Sequence, residues 1–254
     1  MKTILISGVV GLAMATAIPA PAQARVSTVR VDVAEQGEPI SKYIYGQFIE
    51  HLGRCIYGGL WAEMLEDRKF YYPVTGEAPA WTMYKPGPRS WDGEGHPYEL
   101  LMRSPWMIVG DKEAVSMVTQ DSYVGQHTPR IALPGDGKPG GLLQERLGLV
   151  DGREYTGRIV LAGSGNAGPI NVSLVWGGGA TDRDTVTIEK IGKAYATFPL
   201  RFTAGGSTDN GRLEIVGAGK GHFLIGTVSL MPADNILGWR ADTVALLKQL
   251  NAPV

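Results

Sequence analysis

The chain has 254 residues, enough for one large domain or two ordinary ones, so burying a core is no obstacle. Hydrophobic residues at 44% and charged residues at 19% give a globular composition and exclude a disordered chain. The formal net charge of -1, with no Lys/Arg run or basic stripe, excludes nucleic acid as the expected partner. Gly at 35 residues and Pro at 16 favour many tight turns and hence many short strands.

The first 24 residues read as a signal peptide. Lys2 supplies the positive charge, Ile4 to Ile18 the short apolar stretch, and Ala22-Gln23-Ala24 a small-residue cleavage site. A membrane anchor is disfavoured because Gly8, Gly11, Pro19 and Pro21 break the stretch. No later stretch is long and apolar enough to span a bilayer. The expectation is a secreted or periplasmic protein with no membrane partner after cleavage. Cys55 is the single cysteine, so no internal disulfide and no Cys-based zinc site is expected. Its apolar neighbours Leu52 and Ile56 point to a small buried residue.

Val29 to Val33 alternates strictly and reads as a half-buried strand. Tyr43 to Glu50 reads as a second strand. One face carries Ile44, Gly46, Phe48 and Glu50, which is apolar or small until it ends in a carboxylate. A barrel strand delivering a polar group at its C-terminal rim has this form. Leu60 to Asp67 is expected as a short helix. From Pro73 to Gly95 periodicity is lost, and a domain boundary is placed there.

Between Trp106 and Met231 the pattern is all-β. Candidate strands are 157–161, 170–176, 185–191, 196–202, 212–216 and 223–230, separated by turn signals such as Val150-Asp151-Gly152 and Asp209-Asn210-Gly211. Their spacing reads as a β-sandwich. After Pro232 the period changes. Trp239, Thr243, Leu246, Leu247 and Leu250 form one stripe of an amphipathic helix. Asp234 or Asn235 is expected to cap it, and Asn251 with Pro253 to end it. The closing Ala-Pro-Val reads as entry into the next strand of an α/β unit.

Glu50 is the leading chemical candidate, as acid/base, nucleophile or acceptor for sugar hydroxyls. The competing reading pairs it with Arg54. His51 has no second histidine at metal-ligand spacing, and His96, His127 and His222 stand singly, so no metal is expected. The Gly-rich segments 163–165 and 177–179 lack the Lys-Ser/Thr of a phosphate loop, and no serine sits in a G-x-S-x-G elbow. No cofactor is expected. Asn171-Val172-Ser173 is a formal glycosylation sequon inside a strand. Trp176, Tyr195, Trp81, Trp91, Trp106 and Tyr123 are the aromatic residues that could stack on sugars, with core packing the better reading for Trp176.

The run Ile44-Tyr45-Gly46-Gln47-Phe48-Ile49-Glu50-His51-Leu52-Gly53-Arg54-Cys55-Ile56-Tyr57-Gly58-Gly59 resembles the N-terminal signature of glycoside hydrolase family 51 α-L-arabinofuranosidases. Leu60 to Leu65 is similar to the branch of that family with an inserted carbohydrate-binding-like sandwich. The tail from Asp234 through Trp239-Arg240 to Val254 resembles the family's first barrel helix.

The resemblance implies a mostly β chain: a jelly-roll-type β-sandwich inserted between the first strand and first helix of an incomplete (β/α)8 barrel. It implies a signal at 1–24, then a sandwich strand, barrel strand one and the following loop at 25–74. The inserted sandwich occupies 75–232 and the truncated first barrel helix 233–254. Val29–Val33 would belong to a sandwich appended to the barrel. The implied activity is retaining, exo-acting removal of arabinofuranosyl side chains from plant polysaccharides, with an arabinose-containing polysaccharide or oligosaccharide as partner. Retention uses two carboxyls about 5–5.5 Å apart. In the family both catalytic glutamates come from later strands, so no catalytic residue is expected in this chain and the chain alone should be inactive. Glu50 carries over as the residue that accepts the arabinose hydroxyls, and Phe48 as an apolar wall of that pocket.

Two other readings remain beside this one. A stand-alone carbohydrate-binding module would have vestigial flanks, and a structural surface protein would have no ligand. Glu50 at a barrel rim favours the enzyme reading. The helix at the C-terminal end is expected to expose its apolar face.

Overall fold

A computed structural model describes residues 29–32, 34–46, 55–56, 58–77, 81–84 and 98–251. Strands β1 (Trp81–Tyr84) and β2 (Tyr98–Leu101) pair as a small antiparallel ribbon. Short strands follow: β3 (Met107–Val109), β4 (Val115–Val118) and β5 (Thr128–Pro134). Next come β6 (Gly140–Leu149), β7 (Glu154–Gly163) and β8 (Ile170–Val175). The series closes with β9 (Arg183–Ile188), β10 (Ala196–Thr203), β11 (Thr208–Gly217) and β12 (Lys220–Pro232), before helix α1 (Ala241–Leu250).

The first large sheet has the order β3-β6-β11-β8-β9, the second β10-β7-β12-β5-β4, and all their pairings are antiparallel. From β5 onward the chain crosses repeatedly between the two, the connectivity of a jelly-roll-type sandwich. All six candidate strands expected from the sequence are present; four are longer than expected, while β8 stops at Val175 and β9 runs from Arg183 to Ile188, ending three residues before the expected 191.

Alternation explains the core. Ile159 and Leu161, Ile170, Val172 and Leu174, Leu200 and Phe202, and Leu213 and Ile215 all turn inward and are buried. In β12 the inward set changes parity, from Phe223 and Ile225 to Val228 and Leu230. A register shift between Ile225 and Thr227 accounts for it, because one extra residue returns the apolar set to the core. A second irregularity lies between Gly211 and Leu213 opposite β6, where Arg146 adopts a φ of 68°. The inward residues of β6 change there from Leu142 and Gln144 to Leu147 and Leu149.

The expected helix at Leu60–Asp67 does not form. The segment is an extended strap that closes the sandwich beside β12, beyond the point where β5 stops pairing. Met64 N donates to Leu230 O at 2.9 Å, and Val228 N donates to Arg68 O at 3.0 Å. The buried Gln144 side chain clamps the Glu66 peptide with two 2.8 Å hydrogen bonds. Helical propensity is overridden because the sheet edge supplies partners for the backbone, and Leu65 and Phe70 fill the core. Trp106 packs on Phe70 at 5.3 Å between ring centroids and donates its indole N–H to Asp67 O at 3.2 Å. Leu65, Phe70 and Val74 thus belong to the sandwich core although they precede residue 75.

Other expectations change at the N-terminal flank. Residues 29–32 form no strand, and Val29 and Val31 are exposed. Lys42–Tyr45 form a 3₁₀ turn instead of the start of a barrel strand, with Ser41 Oγ accepting from Tyr43 N at 3.4 Å. A strand needs a paired neighbour, and among the described residues none lies beside this segment. Cys55 is exposed, not buried; its neighbour Ile56 is half-buried and Leu52 lies outside the described residues. Residues 1–24, His51, Arg54, Trp91, His96 and the closing residues 252–254 also lie outside them.

Helix α1 forms and ends as expected, with Asn251 in the left-handed conformation and its N–H on Lys248 O. Its N-cap is Arg240, without a side-chain cap. Asn235 closes the preceding turn instead, accepting from Gly238 N and donating to Pro232 O, both at 2.8 Å. Leu246 and Leu250 are exposed.

Candidate functional site

The two residues assigned to the sugar pocket, Phe48 and Glu50, lie outside the described residues. What the structure does assemble is a groove on the outer face of the second sheet. Inward Ile131 and Leu133 on β5 leave Arg130 on the outer face. Cross-strand pairing then sets Arg130 beside Leu224 of β12, and Leu224 beside Ala162 of β7. These small and apolar side chains make the floor. The loop after β4 and the loop before β10 raise the walls with Asp121, Lys193 and Tyr195, and His222 lies towards one end. The open cavity is about 940 Å³.

Tyr195 of this wall packs against Tyr123, far from it in sequence and next to the lining residue Ser122. The rings of Tyr123 and Tyr195 are 5.1 Å apart at 56°. Tyr195 Oη donates to Asp121 O at 2.7 Å, and Tyr123 N donates to the buried Thr128 Oγ1 at 3.1 Å. Partial burial raises the Tyr195 phenol above its ordinary pKa, so it stays a neutral donor. Gly226 makes room for Tyr123: a Cβ there would lie 2.6 Å from the ring's Cγ. Such tyrosines offer an apolar face and a polar edge, which suits the CH face and hydroxyls of a sugar.

The groove is also charged. Arg130 is half-buried, and among the described residues no carboxylate lies within ion-pair distance of it. His222 is held below its ordinary pKa, first by partial burial and then by Arg130. Its backbone is fixed by Ser164, whose Oγ accepts from His222 N at 2.9 Å.

Of the six aromatic candidates, Tyr123 and Tyr195 are brought together here. Trp106 is a buried core residue and Trp176 is half-buried against Gly205 and Gly206. The side chain of Trp81 is not among the described ones. Sequence reasoning missed Arg130, Lys193 and His222. The alternation around Ile131 puts Arg130 on a solvent face, but the register that joins it to Leu224 is not written locally.

A second concavity of about 710 Å³ lies beside the strap, lined by Trp61, Glu63, Arg68, Arg153, Asp234 and Arg240 among others. Its charges are largely used internally. Glu63 is buried and accepts from Ser229 Oγ at 2.7 Å, Leu230 N at 2.9 Å and Leu65 N at 3.2 Å. Arg153 pairs with Asp234 at 3.0 Å, Arg240 pairs with Asp242, and Arg68 lies over the Trp61 ring at 5.1 Å. Next to it, Asp67 caps the strap turn by accepting from Tyr71 N at 2.6 Å. Burial pushes its carboxyl up to about 6, against the lowering effect of the Tyr71 and Tyr72 N–H groups, Ser104 and His127. Among the described residues no group of three or more His, Cys, Asp or Glu is arranged to hold a metal. Nor is any helix among them long and apolar enough to cross a membrane.

No family model matches the chain. Alpha-L-arabinofuranosidase 1 of Arabidopsis thaliana is 25% identical over 228 residues, covering 83% of this chain and 30% of that protein. An intracellular exo-alpha-L-arabinofuranosidase of Bacteroides ovatus is 46% identical over 61 residues, 24% of this chain and 11% of that protein. The chain therefore spans less than a third of the length of these relatives. Among solved structures, TmCBM61 in complex with beta-1,4-galactotriose aligns with a TM-score of 0.38 and 20% identity, over 51% of this chain and 89% of that one. The second N-terminal cellulose-binding domain of a Cellulomonas fimi beta-1,4-glucanase aligns with a TM-score of 0.39 and 22% identity, over 52% of this chain and 87% of that one.

Proposed function

We propose that this chain is the N-terminal portion of a retaining, exo-acting α-L-arabinofuranosidase of the glycoside hydrolase family 51 kind. Its sandwich holds the polysaccharide from which arabinofuranosyl side chains are removed. The observation that carries the reading is the reach of the sequence match, 228 residues and 83% of this chain. The Tyr123–Tyr195 groove supports the holding role, because its floor is apolar and its rim offers donors and acceptors.

On this reading Glu50 accepts the hydroxyls of the arabinose and Phe48 walls its pocket. The acid/base and nucleophile glutamates come from barrel strands beyond Val254. The protein is exported through its first 24 residues to the periplasm or the exterior. One observation favours a second reading, a stand-alone carbohydrate-binding module: among the described residues the groove is built by the sandwich and its loops, with none from the flanks.

The test is direct. The chain is expected to leave an aryl α-L-arabinofuranoside uncleaved but to be retarded in gels containing arabinoxylan or arabinan. Tyr195→Ala is expected to weaken that retention about fivefold, since it removes a stacking surface. Turnover that Glu50→Gln abolishes overturns the placement of the catalytic glutamates. Unchanged retention in Tyr195→Ala overturns the groove.

A further inference from the structure

Arg130 is the feature of the groove that a neutral sugar does not explain. A guanidinium stays charged at all working pH values, and partial burial strips away some of its water. Such a group is normally compensated by a carboxylate. The arginines at the junction cleft show this: Arg153 has Asp234, and Arg240 has Asp242. Arg130 has no such partner among the described residues, and its cross-strand neighbours are Leu224 and Ser116. Lys193 adds a second cation to the rim, without an ion pair among the described residues. Among the described residues Asp121 is the one carboxylate in the lining, so they give the groove an excess of positive charge.

We propose that the groove selects acidic glycans, with Arg130 binding the carboxylate of a uronic acid residue while Tyr195, packed against Tyr123, receives the sugar ring. The proposal rests on the reading of this groove as a glycan-holding surface and names its ligand class. A guanidinium presents two parallel N–H groups that match a carboxylate, which gives direction as well as charge. Lys193 contributes attraction without that geometry. The uronate can come from a galacturonate chain or from a glucuronate branch on a xylan, and the chemistry at Arg130 is the same for both.

The experiment is calorimetric titration of the full chain with three oligosaccharide sets of equal length: oligogalacturonates, glucuronate-bearing xylo-oligosaccharides, and neutral xylo- and arabino-oligosaccharides. At least one acidic set is expected to bind about tenfold or more tighter than the neutral set at low salt. Raising the salt should shrink the gap. Arg130→Gln is expected to bring the ratio of acidic to neutral affinity close to one, and Arg130→Lys to restore only part of it. Thermal melts of both variants establish that they fold. Which acidic set binds tells the two uronate sources apart. Equal affinity for acidic and neutral sets overturns the proposal and leaves the holding role standing. A preference that survives in folded Arg130→Gln overturns the assignment of Arg130. If no oligosaccharide of any set binds, the holding role falls as well.

Discussion

Two concavities of this molecule contain similar residues and do opposite things with them. Among the described residues each is lined by arginine, carboxylate and aromatic side chains, several in the cleft beside the strap and one of each in the outer groove. In the cleft beside the strap the charges meet one another: Arg153 with Asp234, Arg240 with Asp242, Glu63 with backbone N–H groups and Ser229. In the outer groove Arg130 meets no carboxylate among the described residues, and the tyrosine pair is held by Asp121 O and Thr128. A surface whose polar groups are satisfied internally is architecture, because a ligand would have to break existing bonds. A surface with supported but unspent groups is available for binding. The difference lies in hydrogen-bond accounting and not in composition.

The sharpest way to break this contrast is to remove Glu63. If the cleft is architecture, Glu63→Ala leaves Ser229 Oγ, Leu230 N and Leu65 N without their acceptor inside the fold. The expected loss is about 3–5 kcal/mol in urea unfolding, the scale for breaking a buried charged network. Glu63→Gln keeps one acceptor oxygen and should lose clearly less. A loss under about 1 kcal/mol for Glu63→Ala would mean that the strap is not held this way and that the cleft is open to another role.

The same contrast shows why part of the molecule was legible in the sequence. Strands β7 to β12 announce themselves because alternation survives between clear turns, as at Ile170, Val172 and Leu174. Strands β3 and β4 are short, and β5 contains Pro129 and Pro134, so local pattern is weak. In β6 the left-handed Arg146 changes the parity of the apolar residues midway. The strap was misread because Leu60 to Asp67 has helix-forming residues, yet its backbone partners lie on β12 and β6, far along the chain. The groove was half legible. Tyr123 and Tyr195 were recognisable as stacking residues, whereas Arg130 and His222 acquire meaning only from cross-strand register. Phe48 and Glu50 rest on resemblance alone.

A smaller effect tests the strap by pH. Asp67 has its carboxyl pushed up to about 6 from 3.8, chiefly by burial. The folded state then holds a proton that the unfolded state has released, so the contribution of Asp67 to stability is full below 3.8 and is lost as pH rises to about 6. The loss across that window is about 2 kcal/mol, less than the full shift because the group is only partly buried. Asp67→Asn keeps an acceptor for Tyr71 N and tolerates the left-handed φ of 47° at this position. It is expected to flatten the profile between pH 4 and pH 6 and to gain stability at pH 7. Chemical denaturation across that range reads both, and an unchanged slope would place the titrating group elsewhere.

The smallest effect belongs to α1. Leu246 is 61% exposed and Leu250 67% exposed, so neither gives the sandwich much apolar burial. The helix is tied to the strap by other contacts: Arg240 N donates to Leu60 O at 2.8 Å and Thr243 Oγ1 to Gly59 O at 3.2 Å. Replacing Leu246 and Leu250 together by Ser should change unfolding stability by less than about 0.5 kcal/mol. The same double variant should reduce binding of a hydrophobic dye, because the two side chains form the exposed apolar stripe. A large loss of stability would show that the stripe is already covered in solution by this chain or by a second copy. A dependence of that loss on protein concentration would identify the second copy.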